Sequence, residues 1–173
     1  MGRLATQLKE AAQLMPRVTK VAGLRTDLAP ATAGITLWTI QNELIYVRYI
    51  FGVVVEVPTG AATPFLTYIS SAAYGAPTTT AICALHASVA AAPVGTVLQM
   101  TGVTVGILTS GLVQGIRSPN EATGIWANGD YVVMCPGVIQ IVNATTAGVS
   151  GIIDWYMYYV PGGLNSRVSV RNT

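Results

Sequence analysis

From Gly34 onward, apolar and polar positions either alternate with a period of two or merge into short apolar runs, which is the pattern of strands. "ITLWTIQ" sets Ile35, Leu37 and Thr39 against Thr36, Trp38 and Ile40. "LIYVRYIFGVVVEV" (Leu44 to Val57) is a long β-branched and aromatic run with Gly52 as a candidate bulge. "FLTYIS" follows, and then "SAAYGAPTTT", whose Gly-Ala-Pro predicts a turn. "AICALHASV" fits a strand or a helix equally well, while "GTVLQMTG", "VTVGILT" and "ATGIWA" read as further short strands. In "IWANGDYVVM" the pair Asn128-Gly129 predicts a hairpin, because both residues accept a positive φ. In "MCPGVIQIV" the pair Pro136-Gly137 predicts a type II turn. The clearest strand is the last, "GIIDWYMYYVPGG", with Trp155, Tyr156, Tyr158 and Tyr159 inside five positions. It is apolar on both faces of its alternation. One face belongs to the core; the other needs a second sheet or a neighbouring subunit.

The start of the chain differs. Leu4, Leu8, Ala11, Ala12 and Met15 recur at steps of three and four, predicting a short helix over residues 3–15 that Pro16 stops. "LAPATAG" (Leu28 to Gly34) reads as a linker. The expected architecture is all-β: an antiparallel β-sandwich or jelly roll over residues 35–173, preceded by a basic N-terminal arm (1–34) with its short helix.

Composition changes the picture in one respect. Of 173 residues, 51% are hydrophobic and only 9% charged, against a usual charged share of about 25%. A lone domain of this size needs more charge to stay soluble, so low charge implies a surface covered by partners. A net charge of +2 is too small to make nucleic acid the main partner. The charges are also unevenly placed: Arg3, Lys9, Arg17, Lys20 and Arg25 fall in the first 27 residues, whereas Val57 to Ile116 contains no charged residue. Val94 to Ile116 is long enough for a membrane span, with Gly102/Gly106 and Gly111/Gly115 at helix-packing spacing. Its Thr, Val and Gly content and the period-two alternation of Val103, Val105 and Ile107 favour strands, and no membrane contact is expected. No secretory signal is evident at the N-terminus, so Cys83 and Cys135 read as buried free thiols, and Asn143 of "NAT" as a turn residue.

Candidate chemistry is sparse. His86 is the only histidine. It could join Asp130 or Asp154 in a spatial triad, but no nucleophile motif accompanies it. Cys83 and His86 have C-x-x-H spacing without two further ligands. The acids Glu43, Glu56, Glu121, Asp130 and Asp154 are isolated along the chain, and a carboxylate pair would have to assemble in space. The chain therefore reads as a non-enzyme without cofactor or metal, an enzyme with a spatially assembled site being the competing class. The basic leader, residues 1 to about 27, is the better functional candidate. Arg3, Lys9, Arg17, Lys20 and Arg25 would lie on an acidic protein surface, held by the Leu4/Leu8 stripe, and the leader would be dispensable for folding. An ordinary solvated arm is the plainer reading of the same residues. Nucleic acid is disfavoured, since no aromatic residues interleave the basic ones.

Three stretches together resemble a group of small tailed-bacteriophage virion proteins of the capsid-decoration (cement) type. An early strand pair "LWTIQNELIYVRYIFGVVVEV" leads to "GTVLQMTG", and the body closes on "GIIDWYMYYVPGG". The resemblance covers roughly residues 35–163, with Gln41-Asn42 standing where the pattern has Thr-Gly. It implies a β-sandwich or jelly-roll subunit, a homotrimer, bound to the major capsid protein on the exterior of a virion and made in the host cytoplasm. A tail- or fibre-associated protein binding a host receptor or glycan is the alternative. On this reading Trp155, Tyr156, Tyr158 and Tyr159 supply the subunit interface strand. Trp155, Met157 and Tyr159 would face inward and Tyr156, Tyr158 and Val160 a neighbour, or the reverse.

Overall fold

The computed structural model describes residues 15–25, 34–59, 63–71, 79–82, 89–100, 108–111, 132–143 and 150–171. Among these residues there are eleven strands and no helix, arranged as two antiparallel sheets with a shared core. The first sheet runs β1 (Arg17–Arg25), β10 (Ser150–Pro161), β3 (Ile45–Thr59), β6 (Val97–Met100), β7 (Leu108–Gly111), with β8 (Val132–Met134) paired to the start of β3. The second runs β11 (Arg167–Val170), β2 (Ile35–Gln41), β9 (Gly137–Asn143), β4 (Pro64–Ser70), β5 (Thr79–Ala81). The segment long enough to span a bilayer thus contains β6 and β7, and among the described residues no helix is long and apolar enough to cross a membrane.

Period-two burial builds the core. Ile153, Trp155, Met157 and Tyr159 of β10 join Leu37, Trp38 and Ile40 of β2 and Ile139 of β9 in one buried cluster. Where the sequence loses its alternation, a bulge explains it. Tyr158 pairs with Tyr49 but Tyr159 with Val47, so Arg48 is the extra residue on β3. The inward phase therefore shifts from Ile45 and Val47 to Ile50 and Val54, all buried, while Arg48 is exposed. Leu37 is likewise extra on β2, between Thr36 opposite Gln140 and Trp38 opposite Ile139. Adjacent Leu37 and Trp38 are consequently both fully buried.

Two glycines have roles other than those their sequence context implies. Gly52 is not a bulge: it pairs regularly with Trp155 on one side and Leu98 on the other. A Cβ there would lie 3.2 Å from the Trp155 ring and 2.9 Å from Ile153, so the position is a slot for the indole. Gly137 is not the second central residue of a type II turn, since its φ is not positive. Cys135-Pro136 instead carries the chain from β8 in one sheet to β9 in the other. A Cβ at Gly137 would strike the Ile69 carbonyl and the Tyr68 ring. The crossing is strapped by the Tyr68 hydroxyl donating to the Cys135 carbonyl (2.8 Å) and the Ser71 N–H donating to that of Pro136 (2.9 Å).

Residues 17–25, assigned from the sequence to an arm ahead of the domain, pair along β10 from Arg17 opposite Tyr159 to Arg25 opposite Ile152. The boundary at residue 34 therefore runs through a sheet. Val18, Thr19 and Val21 are β-branched, and without β1 the outer backbone groups of β10 would lack these partners. Of the helix expected over 3–15 only Met15 is described, an exposed bend residue, and the Asn128-Gly129 hairpin also lies outside the described residues.

Candidate functional site

The strongest surface feature is the outer side of the first sheet. Across the β3–β10 ladder Tyr46 faces Val160, Tyr49 faces Tyr158 and Phe51 faces Tyr156. Directly opposed residues of an antiparallel pair share a face, and all six are half-buried, with their inward neighbours fully buried. Phe51 and Tyr156 stack with ring centroids 4.9 Å apart and planes at 8°. Tyr49 and Tyr158 meet edge to face, 6.1 Å apart at 65°. Val18 opposite Tyr158 on β1 and Val133 opposite Tyr46 on β8 extend the face, at 63% and 56% exposure. Among the described side chains, the charged groups beside these rings are Arg48 on the bulge and Asp154, which is 8% exposed.

The expected interface strand therefore splits in two. Trp155 and Tyr159, at 0% and 4% exposure, belong to the core between the sheets and offer nothing to a neighbour. Tyr156 and Tyr158 point outward. The sequence reading missed Tyr46, Tyr49 and Phe51 on the same face, because the Arg48 bulge breaks their period. The aromatic richness of "IYVRYIF" beside that of "DWYMYY" was the available signal.

Of the anchor residues, Arg3, Leu4, Leu8 and Lys9 lie outside the described residues, and Arg17, Lys20 and Arg25 lie on β1. Cys83, His86, Glu121 and Asp130 are also outside. Cys135 is a free thiol as expected, but exposed where a buried one was expected, because it sits in the crossing between sheets. Asp154 lies within β10. Glu43 serves the fold: its carboxylate accepts the Asn165 N–H (3.1 Å), tying the β2–β3 turn to the β10–β11 loop. Asn42, at φ 69°, takes the left-handed backbone conformation that asparagine tolerates, and its side chain donates to the Asn165 carbonyl (3.0 Å). Ser166 completes the junction by donating to the Leu44 carbonyl (2.9 Å). Among the described residues no group of three His, Cys, Asp or Glu is placed to hold a metal ion.

Comparison with protein-family models, curated proteins and solved structures gave no match for this chain.

Proposed function

We propose that the chain is a virion structural protein of a tailed bacteriophage, which binds the exterior of the assembled capsid as a homotrimer and stabilises the shell. The carrying observation is the outer aromatic face of the first sheet: half-buried rings packed on one another and backed by the buried core. Such a face is costly in water, at about 25 cal/mol per Å² of apolar area, and Tyr is enriched where proteins meet. A protein that binds only the assembled shell adds its binding free energy to the shell's stability. The resemblance of the three quoted motifs supplies the partner, the major capsid protein, and the number three.

The finer architecture we propose is a jelly roll. The chain changes sheet at each step from β2 to β4 and from β8 to β11; β9 lies between β2 and β4, and β8 beside β3. The competing glycan-binding reading gains less from the geometry. A sugar stacks on an open ring face, and Phe51 and Tyr156 each spend one face on the other. The test is co-sedimentation of the purified protein with heads of the phage that encodes it, against adsorption to host cells. Saturable binding to heads supports the proposal; binding to cells alone overturns it in favour of the receptor-binding reading.

A further inference from the structure

The edge strands of the two sheets come together on one side of the sandwich. β1 closes the first sheet and β11 the second, and their Cα atoms approach within 8 Å. β1 begins and ends on arginine with Lys20 between; β11 begins on Arg167, and Arg171 follows its last residue. These positions hold five of the nine basic residues of the chain and none of its seven acidic ones. The remainder carries four basic and seven acidic residues, so the chain's excess of positive charge resides at this edge.

The register fixes how the cations are spread. Arg17 stands opposite Tyr159 and Arg167 opposite Gln41, at the end where the β2–β3 turn meets the β10–β11 loop. Lys20 stands opposite Tyr156, and Arg25 opposite Ile152 at the far end. Arg171 follows on, its N–H donating to the Leu37 carbonyl (3.1 Å). At about 3.4 Å per residue, β1 makes this a ridge about 27 Å long. Arg17, Arg167 and Arg171 are exposed. Of the acids near this edge, Asp154 is 8% exposed on β10, Glu43 accepts the Asn165 N–H, and Glu56 is exposed on β3 opposite Ile152, across β10 from Arg25.

We infer that the β1/β11 edge is a preformed docking ridge for an acidic protein surface, with Arg167 and Arg171 acting together with Arg17, Lys20 and Arg25. This rests on the proposed shell-binding function for the identity of the partner but not for its chemistry. An acidic protein is favoured over nucleic acid because a net charge of +2 is too small to hold a polyanion as the main partner. Both strands are paired within their sheets, so the backbone positions that carry the basic residues are in register before the partner arrives.

The test uses a fluorescent poly-L-glutamate peptide and an oligonucleotide of equal charge, with binding to the full chain read by anisotropy at low and physiological salt. Removing charge on β11 (Arg167→Gln with Arg171→Gln), or on β1 (Arg17→Gln, Lys20→Gln, Arg25→Gln), should weaken polyglutamate binding by at least about ten-fold. Arg117→Gln, which removes a charge that belongs to neither strand, should weaken it less than about three-fold. Unchanged circular dichroism certifies each variant, and the β11 pair carries the test if the β1 triple fails to fold. Equal losses in edge and control variants, or tighter binding of the oligonucleotide, would overturn the inference. Phage heads form the last arm. If edge variants lose polyglutamate while the wild type ignores heads, the ridge stands and the capsid reading fails; if heads bind edge variants as tightly as wild type, docking does not use the ridge.

Discussion

Trp155 lies over Gly52 with no exposure, and the fit leaves no space for a methyl group. Gly52→Ala should cost about 1–3 kcal/mol in urea denaturation, the usual penalty for overpacking. An unchanged midpoint would mean that the indole has room to move. A second residue is strained by its own side chain. Ala91 has φ 58° in the loop before β6, where its N–H donates to the Pro58 carbonyl (2.8 Å). The left-handed region costs an L-residue about 1–2 kcal/mol, while glycine enters it freely at an entropic cost of about 0.5–1. Ala91→Gly should therefore raise stability by up to about 1 kcal/mol. Four residues on, Gly95 has φ +87° with open space around its Cα, so Gly95→Ala should lower stability by a similar amount through backbone strain alone. Thermal unfolding of the pair separates the effects, and a destabilised Ala91→Gly variant would contradict the strain account. Cys135, exposed and free, should react with Ellman's reagent in the native protein without prior unfolding.

At the scale of elements, the strands most legible in the sequence are those whose burial follows local alternation. β10 reads directly, with Trp155 and Met157 on the inner side, one of the two assignments that its alternation allows. β3 was legible as a strand but not in phase, because only its partner's register reveals that Arg48 is extra. β1 was missed: Arg17, Lys20, Arg25 and Gly23 look like a solvated arm until β10 supplies the backbone partners. Pro136-Gly137 misled for a related reason, since a local turn signal cannot show that the next strand joins the other sheet. The aromatic site was half visible, on β10, and its β3 half was hidden by the same bulge. The status of β1 leads to a direct test. Deleting residues 1–25 removes a nine-residue strand and uncovers the edge of β10, which should lower the melting temperature and promote aggregation. Deleting residues 1–14 leaves β1 in place and should do neither. Equal stability of the two truncations would return residues 17–25 to the role of a dispensable arm.

For the whole molecule, the question is whether the aromatic face is covered by copies of the same chain. Phe51, Tyr46, Tyr49, Tyr156 and Tyr158 are half-buried; with roughly a quarter of about 200 Å² left open on each, they contribute about 250 Å². Val18 and Val133, at 63% and 56% exposure, with Val160 and the ring margins raise the apolar patch to about 500–600 Å² per copy. With a matching area on the neighbouring copy, each contact of the proposed ring buries about 1,000–1,200 Å², at the lower limit for a specific interface. The patch is thus large enough to matter and small enough that a few substitutions should abolish it. Tyr156→Ser with Tyr158→Ser removes two rings from the face and should weaken assembly by at least about ten-fold, since interface energy concentrates on such aromatic anchors. Thr39→Ala, on the outer row of the second sheet opposite Val138, should leave assembly unchanged. Sedimentation velocity across micromolar concentrations reads both, with heads added in a parallel series. A wild-type monomer at every concentration would remove the self-association and leave the face to the capsid alone. An oligomer that survives the double substitution would place the subunit contact elsewhere on the sandwich.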